Sequence, residues 1–117
     1  MPEGGKIINI GSSVLNLLIS NFSLYALTKA AIEGFTRAIA SEAGAKKISV
    51  NMISPGPTNS EMFDKAHTQE EKDFLTSQIA FGRIGTYEDI GSAVLSLSLP
   101  TSSWITGQSI FANGGFI

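Results

Sequence analysis

Gly4-Gly5-Lys6-Ile7-Ile8-Asn9-Ile10-Gly11-Ser12-Ser13 is a short, Ile-rich run held between two glycine signals. A run of this length and composition suits a strand buried on both faces of a parallel sheet. Downstream, Leu24 to about Glu42 carries apolar and small residues at helical spacing through Leu27, Ala31, Phe35, Ala38 and Ile39. Ser23 is available as its N-cap and Gly44 as its stop. Ile48 to Ile53 is a second β-branched run, ended by Ser54-Pro55-Gly56-Pro57, where no strand ladder continues. Strand, long helix and strand in this order predict α/β layering with parallel strands.

The remainder extends the pattern. Thr58 to Phe81 holds much of the charge and the one histidine, and Gln69 to Ala80 reads as an amphipathic helix carried by Phe74, Leu75 and Ile79. Thr86-Tyr87-Glu88-Asp89 has the form of a capping box ahead of Ile90, Ala93, Val94 and Leu97, with Pro100 as the stop. Trp104 to Ala112 is expected to be the last strand, closed by Asn113-Gly114-Gly115. Three strands and two main helices are few for a sheet that must be covered on both faces, and part of the layer is expected to be missing.

Composition bounds the function. The 117 residues allow one domain, and 43% hydrophobic with 15% charged residues describes a chain that folds. Eight Lys and Arg against ten Asp and Glu give a net charge of −2, with no basic footprint for nucleic acid or an anionic membrane surface. The absence of cysteine excludes thiol nucleophiles and thiolate metal sites, and the cytoplasm is the expected compartment. The N-terminal residues lack the pattern of a signal peptide. Apolar stretches break well before the roughly 20 residues that span a bilayer. Asn21-Phe22-Ser23 matches a glycosylation tripeptide by chance. His67, with no second histidine or fitting carboxylate near it in sequence, is expected to be solvated rather than to bind metal.

Several residues carry chemistry. Tyr25 and Lys29 stand four apart in the expected helix, so their side chains share a face, about 5 to 6 Å apart at Cβ. A phenol is almost fully protonated at neutral pH, and an ammonium about 4 Å away, at an effective dielectric near 20, supplies roughly 4 kcal/mol towards the phenolate. Ser12 lies just past the carboxyl end of the first strand, where ligands bind in open α/β sheets, and its hydroxyl is placed to polarise a carbonyl. Pro55-Gly56 follows the second strand at the same edge, where a glycine lets backbone approach a flat ligand. Each feature alone has a plainer reading as a turn, a cap or a chance pair.

Together, in this order and spacing, these residues resemble the short-chain dehydrogenase/reductase family. The resembling segments are Ile-Gly-Ser-Ser (10–13), Tyr-Ala-Leu-Thr-Lys (25–29), Val-Asn-Met-Ile-Ser-Pro-Gly-Pro-Thr (50–58), Phe-Gly-Arg-Ile-Gly (81–85) and Ile-Thr-Gly-Gln-Ser-Ile (105–110) ahead of Gly114-Gly115. The glucose dehydrogenase-like and 3-oxoacyl-carrier-protein reductase-like members are the most similar in kind. The resemblance implies an NAD- or NADP-dependent oxidoreductase acting on a small carbonyl or alcohol substrate, with hydride carried by the cofactor. It makes Tyr25 the proton donor or acceptor, Lys29 the group that assists it and holds the nicotinamide ribose, and Ser12 the residue that orients the substrate oxygen. Pro55, Gly56 and Thr58 would line the nicotinamide. Ser60 stands where the family commonly has a carboxamide-binding Thr. The helix bearing Tyr25 and Lys29 would pack on its copy, with Ala30, Ala31 and Gly34 permitting close approach, so a homo-oligomer is implied.

The resemblance covers only the C-terminal half of the family's doubly wound, Rossmann-like sheet, about three strands with flanking helices. The glycine-rich G-x-x-x-G-x-G phosphate loop, the Asn-Asn-Ala-Gly strand and the helix Asn that completes the family's catalytic tetrad are not in these residues. Residues 1–117 therefore read as a partial NAD(P)-binding domain, with Met1 resembling an internal position and Gly114-Gly115-Phe116-Ile117 a natural end. Without the phosphate loop the pyrophosphate loses its helix N-terminus, and the first strand is left as an open edge. Three readings follow: the catalytic half of a complete oxidoreductase, a catalytically silent fragment acting as a dimerisation module, or a half that complements a separate chain. The segment from Thr58 to Phe81 is expected to cover the substrate or to lie as an ordinary surface helix.

Overall fold

The structure, a computed structural model, describes residues 1–17 and 20–116. Ile117, the last residue of the expected terminus, lies outside the described residues. Three parallel strands form one sheet in the order β1 (Lys6–Ile10), β2 (Ser49–Pro55), β3 (Ser109–Ala112). The helices between them are α1 (Ser23–Ala43), α2 (Glu61–Ala66), α3 (Gln69–Ser77) and α4 (Tyr87–Ser98).

β2 is the middle strand, and Ser49 to Ser54 are all buried: Val50, Met52 and Ile53 supply its apolar contacts, while the buried Asn51 and Ser54 side chains make hydrogen bonds or close polar contacts towards the last strand. α1 packs against β2 and β1, with Ala40 on Ile48 and Val50 and with Ile7, Ile39 and Ala43 around them. α4 packs across all three strands. Both helices reach β1 and β2 without packing on each other, so they lie on opposite faces of the sheet. A hydrogen bond from Asn9 Nδ2 to the buried Thr36 Oγ1, 2.8 Å, fixes how α1 lies over β1. β1 is an edge strand. Its residues are only partly covered, and Ile10 at its carboxyl end is exposed.

The buried face of α1 differs from the expected one. Leu27 is 64% exposed and Phe35 56% exposed, and Ala31 and Ala38 are also exposed. Of the expected residues only Ile39 packs on the sheet, together with Thr36, Ala40 and Ala43. The helix is apolar on two sides, and periodicity alone does not say which side meets the sheet. Its ends differ too. Phe22 is the N-cap and makes no side-chain bond, while Ser23 is already helical. Gly44 is right-handed and starts a 3-10 turn, and the left-handed position falls on Lys47 at φ 54°.

The last strand is shorter than expected. Trp104, 99% exposed, and Ile105 to Gln108 are not strand. Asn51 of β2 takes their place in the ladder: its Nδ2 donates to the Ile105 carbonyl at 2.7 Å, and its Oδ1 accepts from Gln108 N–H at 3.1 Å. Thr106 Oγ1 accepts from Val50 N–H, and Gly107, at φ +71°, donates to the Val50 carbonyl. The segment from 58 to 81 holds two helices rather than one. Ser60 caps α2, and Thr68 with Glu71 forms a capping box at α3. Phe74 stays exposed, while Ile79 is buried beyond the helix end. The box expected at α4 is present, with Thr86 and Asp89 bonded reciprocally.

Candidate active site

The carboxyl ends of β1 and β2 open into one cleft of about 500 Å³. Ser12, Tyr25, Lys29, Pro55, Gly56, Thr58 and Ser60, all read from the sequence as candidates, line it. They arrive from three directions: Ser12 from the turn after β1, Tyr25 and Lys29 from the first turns of α1, the rest from the segment after β2.

Each polar group has a defined state. Ser12 caps a 3-10 turn over Ser13–Asn16, its Oγ accepting from Val14 N–H at 3.2 Å, which leaves its own hydrogen to donate. Ser13 is buried and its hydroxyl donates to the Ser54 carbonyl at 3.3 Å, so the neighbouring serines are not equivalent. Lys29 Nζ donates to the Ile10 carbonyl at 3.2 Å and lies 5.6 Å from the centre of the Tyr25 ring. One of the ammonium's three hydrogens is thereby used. The Tyr25 ring is 40% exposed and meets Phe22 edge-on at 6.0 Å, and its hydroxyl makes no hydrogen bond among the described residues. Thr58 Oγ1 donates to the Gly56 carbonyl at 2.9 Å, and Ser60 Oγ accepts from Phe63 N–H at 3.1 Å.

Packing within the chain also requires a glycine at position 56. A Cβ there would lie 2.7 Å from Asn113 Cβ and 2.9 Å from Asn113 Cα, against the turn that follows β3. The cleft also contains residues that sequence reasoning did not select. Phe116 is buried at its wall, and His67 reaches it from the junction of α2 and α3. Phe116 carries no local signal of its role. His67 was expected in solvent, and only the turn between the two helices brings its half-buried ring to the cleft.

The sequence profile described as enoyl-(acyl carrier protein) reductase matches residues 1–117. The chain belongs to the short-chain dehydrogenase/reductase family. It is 40% identical over 112 residues to NADPH-dependent aldehyde reductase 2, chloroplastic, of Arabidopsis thaliana, covering 96% of this chain and 41% of the relative. A short-chain dehydrogenase/reductase structure from Serratia marcescens superposes with a TM-score of 0.91 at 37% identity, covering 99% of this chain and 47% of that one. A blue fluorescent protein from a metagenomic library, in complex with NADPH, gives a TM-score of 0.91 at 34% identity over the same shares. The chain thus spans about half the length of these short-chain dehydrogenases/reductases and relatives.

The donor set suits one end of a nicotinamide dinucleotide. Two ammonium hydrogens of Lys29 and the hydroxyl hydrogen of Ser60 are left to donate beside the apolar Pro55 and Pro57, while Thr58 Oγ1, whose hydrogen goes to the Gly56 carbonyl, is left to accept, as a flat amide-bearing ring with an adjoining diol requires. No cluster of His, Asp and Glu fit to hold a metal occurs among the described residues. No helix of the described residues is long and apolar enough to cross a membrane.

Proposed function

We propose that this chain is the catalytic half of an NAD(P)-dependent carbonyl reductase or alcohol dehydrogenase. Residues 1–117 supply proton transfer and the nicotinamide side of the site. The observation that carries the reading is the meeting of Ser12, Tyr25 and Lys29 with the Pro55–Ser60 segment at one cleft. The relatives named above add NADPH as the dinucleotide to test first.

In the reductive direction the substrate carbonyl oxygen accepts hydrogen bonds from Ser12 and Tyr25. Bound dinucleotide supplies hydride to the carbonyl carbon. Tyr25 gives its phenolic proton to the oxygen as negative charge develops there, and the Lys29 ammonium beside the ring faces the charge left on the phenolate. Lys29 is itself held by the Ile10 carbonyl, which couples its position to the end of β1. In the oxidative direction the same groups act in reverse. Pro55, Gly56, Thr58 and Ser60 are the residues assigned to the nicotinamide, and α2 with α3 to the substrate cover. The phosphate-binding loop is not among these 117 residues, so the reading concerns the complete protein's chemistry.

The decisive experiment compares Tyr25→Phe with wild type. NADPH oxidation with a carbonyl substrate is expected to fall at least about 10²-fold, as loss of a positioned acid does. NADPH fluorescence enhancement on binding is expected to remain. A Tyr25→Phe protein as fast as wild type would falsify the assignment, and a wild-type protein without dinucleotide binding would favour the silent dimerisation module. The cytoplasm is the compartment we favour from the cysteine-free composition; the Arabidopsis relative is a chloroplastic protein. A second copy packing on α1 is the association we favour, because Leu27 and Phe35 form an apolar row beside the small Ala31 and Gly34.

A further inference from the structure

His67 stands at the junction of α2 and α3, where it is the C-cap of α2 with an extended backbone. Its Nδ1 lies 3.0 Å from the Phe63 carbonyl, and a carbonyl only accepts, so Nδ1 carries the proton. The ring is fixed a second time by Phe63, whose ring centre lies 4.4 Å away at an interplanar angle of 31°. In the neutral ring this leaves Nε2 as a lone-pair acceptor, and it has no hydrogen-bond partner among the described residues.

The ring lines the same cleft as Ser12 and Tyr25. The wall that α2 and α3 contribute is otherwise Met62, Phe63, Ala66 and Leu75. The other polar side chains of the cleft belong to the proton-transfer group, to the segment after β2, or, as Ser13, to a bond with the sheet. An apolar wall with one oriented acceptor reads a hydroxyl on an otherwise apolar body. Resting on the reductase reading above, we infer that His67 determines specificity: its Nε2 accepts a hydrogen bond from a hydroxyl group of the substrate, remote from the carbonyl being reduced. The substrate class is a hydroxylated, largely apolar ketone or aldehyde.

The competing account is that His67 only caps α2 through Phe63, and isosteric replacements separate the two. An Asn amide overlays Nδ1 and keeps the cap, whereas a Gln amide overlays Nε2 and keeps the acceptor. The test uses the protein as its gene encodes it, with NADPH, and compares kcat/KM for 5-, 6- and 7-hydroxy-1-tetralone with that for 1-tetralone. Wild type is expected to prefer at least one hydroxylated isomer by roughly 3- to 10-fold, as one neutral hydrogen bond gives. The preference should reside in KM, persist in His67→Gln, and fall to about unity in His67→Asn and His67→Phe. A wild type without preference, or a preference kept by His67→Phe or by His67→Asn but lost in His67→Gln, overturns the inference. Tyr25→Phe assayed on 1-tetralone reports separately on the reductase reading: full activity there sinks that reading and this one with it, whereas a wild type that binds NADPH and reduces no tetralone overturns this inference alone.

Discussion

Ser12 and Ser13 are adjacent and identical in composition, yet one faces the cleft and the other the sheet. Ser12→Ala removes a free donor at the cleft and is expected to lower the rate by roughly 10²-fold with stability nearly kept. Ser13→Ala removes the bond to the Ser54 carbonyl from a buried site and is expected to cost about 1 kcal/mol of stability while the rate persists. Paired urea melts and NADPH-oxidation rates distinguish the two, and exchanged effects would reverse the assignment. The resemblance to the family had already assigned the substrate oxygen to Ser12. The partner of Ser13 was not legible, because it lies 41 residues away on another strand. Gly56 makes the same point: its glycine was readable, but its packing against Asn113, beyond the next strand, was not.

Among the elements, α4 was the most legible, since a capping box is a local device whose partners lie three residues apart. What the local pattern omitted is Arg83. Its guanidinium holds both oxygens of Asp89, at 2.6 and 2.9 Å, while Thr86 N–H donates to the same carboxylate. Arg83, and then the Thr86 backbone, hold the Asp89 carboxyl well below the usual carboxylate range. The folded protein therefore takes up this proton less readily than the unfolded chain. The stabilisation is complete above the ordinary carboxylate value near 4 and is lost as the pH falls through the lowered folded value. Asp89→Asn is expected to lower Tm at pH 7, and the gap from wild type should narrow between pH 4 and pH 2. Thermal melts at pH 7, 4 and 2.5 check this; a gap that widens in acid would contradict it. The long helix α1 was read correctly in extent but on the wrong face, since Leu27 and Phe35 repeat at helical spacing as regularly as Ile32 and Ile39 do.

The molecule as a whole is elongated, 49 by 27 by 22 Å, with one thin sheet between α1 and α4. Its uncovered apolar residues are spread over the surface, with Leu24, Leu27 and Phe35 on α1, and β1 is an open edge of the sheet. Leu27 and Phe35 stand eight apart on one side of α1 with Ala31 between them, an apolar row of the kind a second copy could cover. Phe35→Asp is expected to convert an oligomer to a smaller species, seen as a lower mass by light scattering after size exclusion, with the fold retained by circular dichroism. An unchanged mass would remove α1 from the interface.

Periodicity and caps, read from the residues alone, determined the parallel α/β class and the strand order, and the resemblance of the motifs to the family grouped Ser12, Tyr25, Lys29 and the Pro55–Ser60 segment. These are local properties, or properties of spacing within one element. Only the tertiary structure decided which face of α1 meets the sheet, why Asn51 makes the last strand start late, and that His67 belongs to the cleft. Each of those depends on groups far apart in sequence competing for the same buried space or the same hydrogen bond, and no window along the chain contains both competitors.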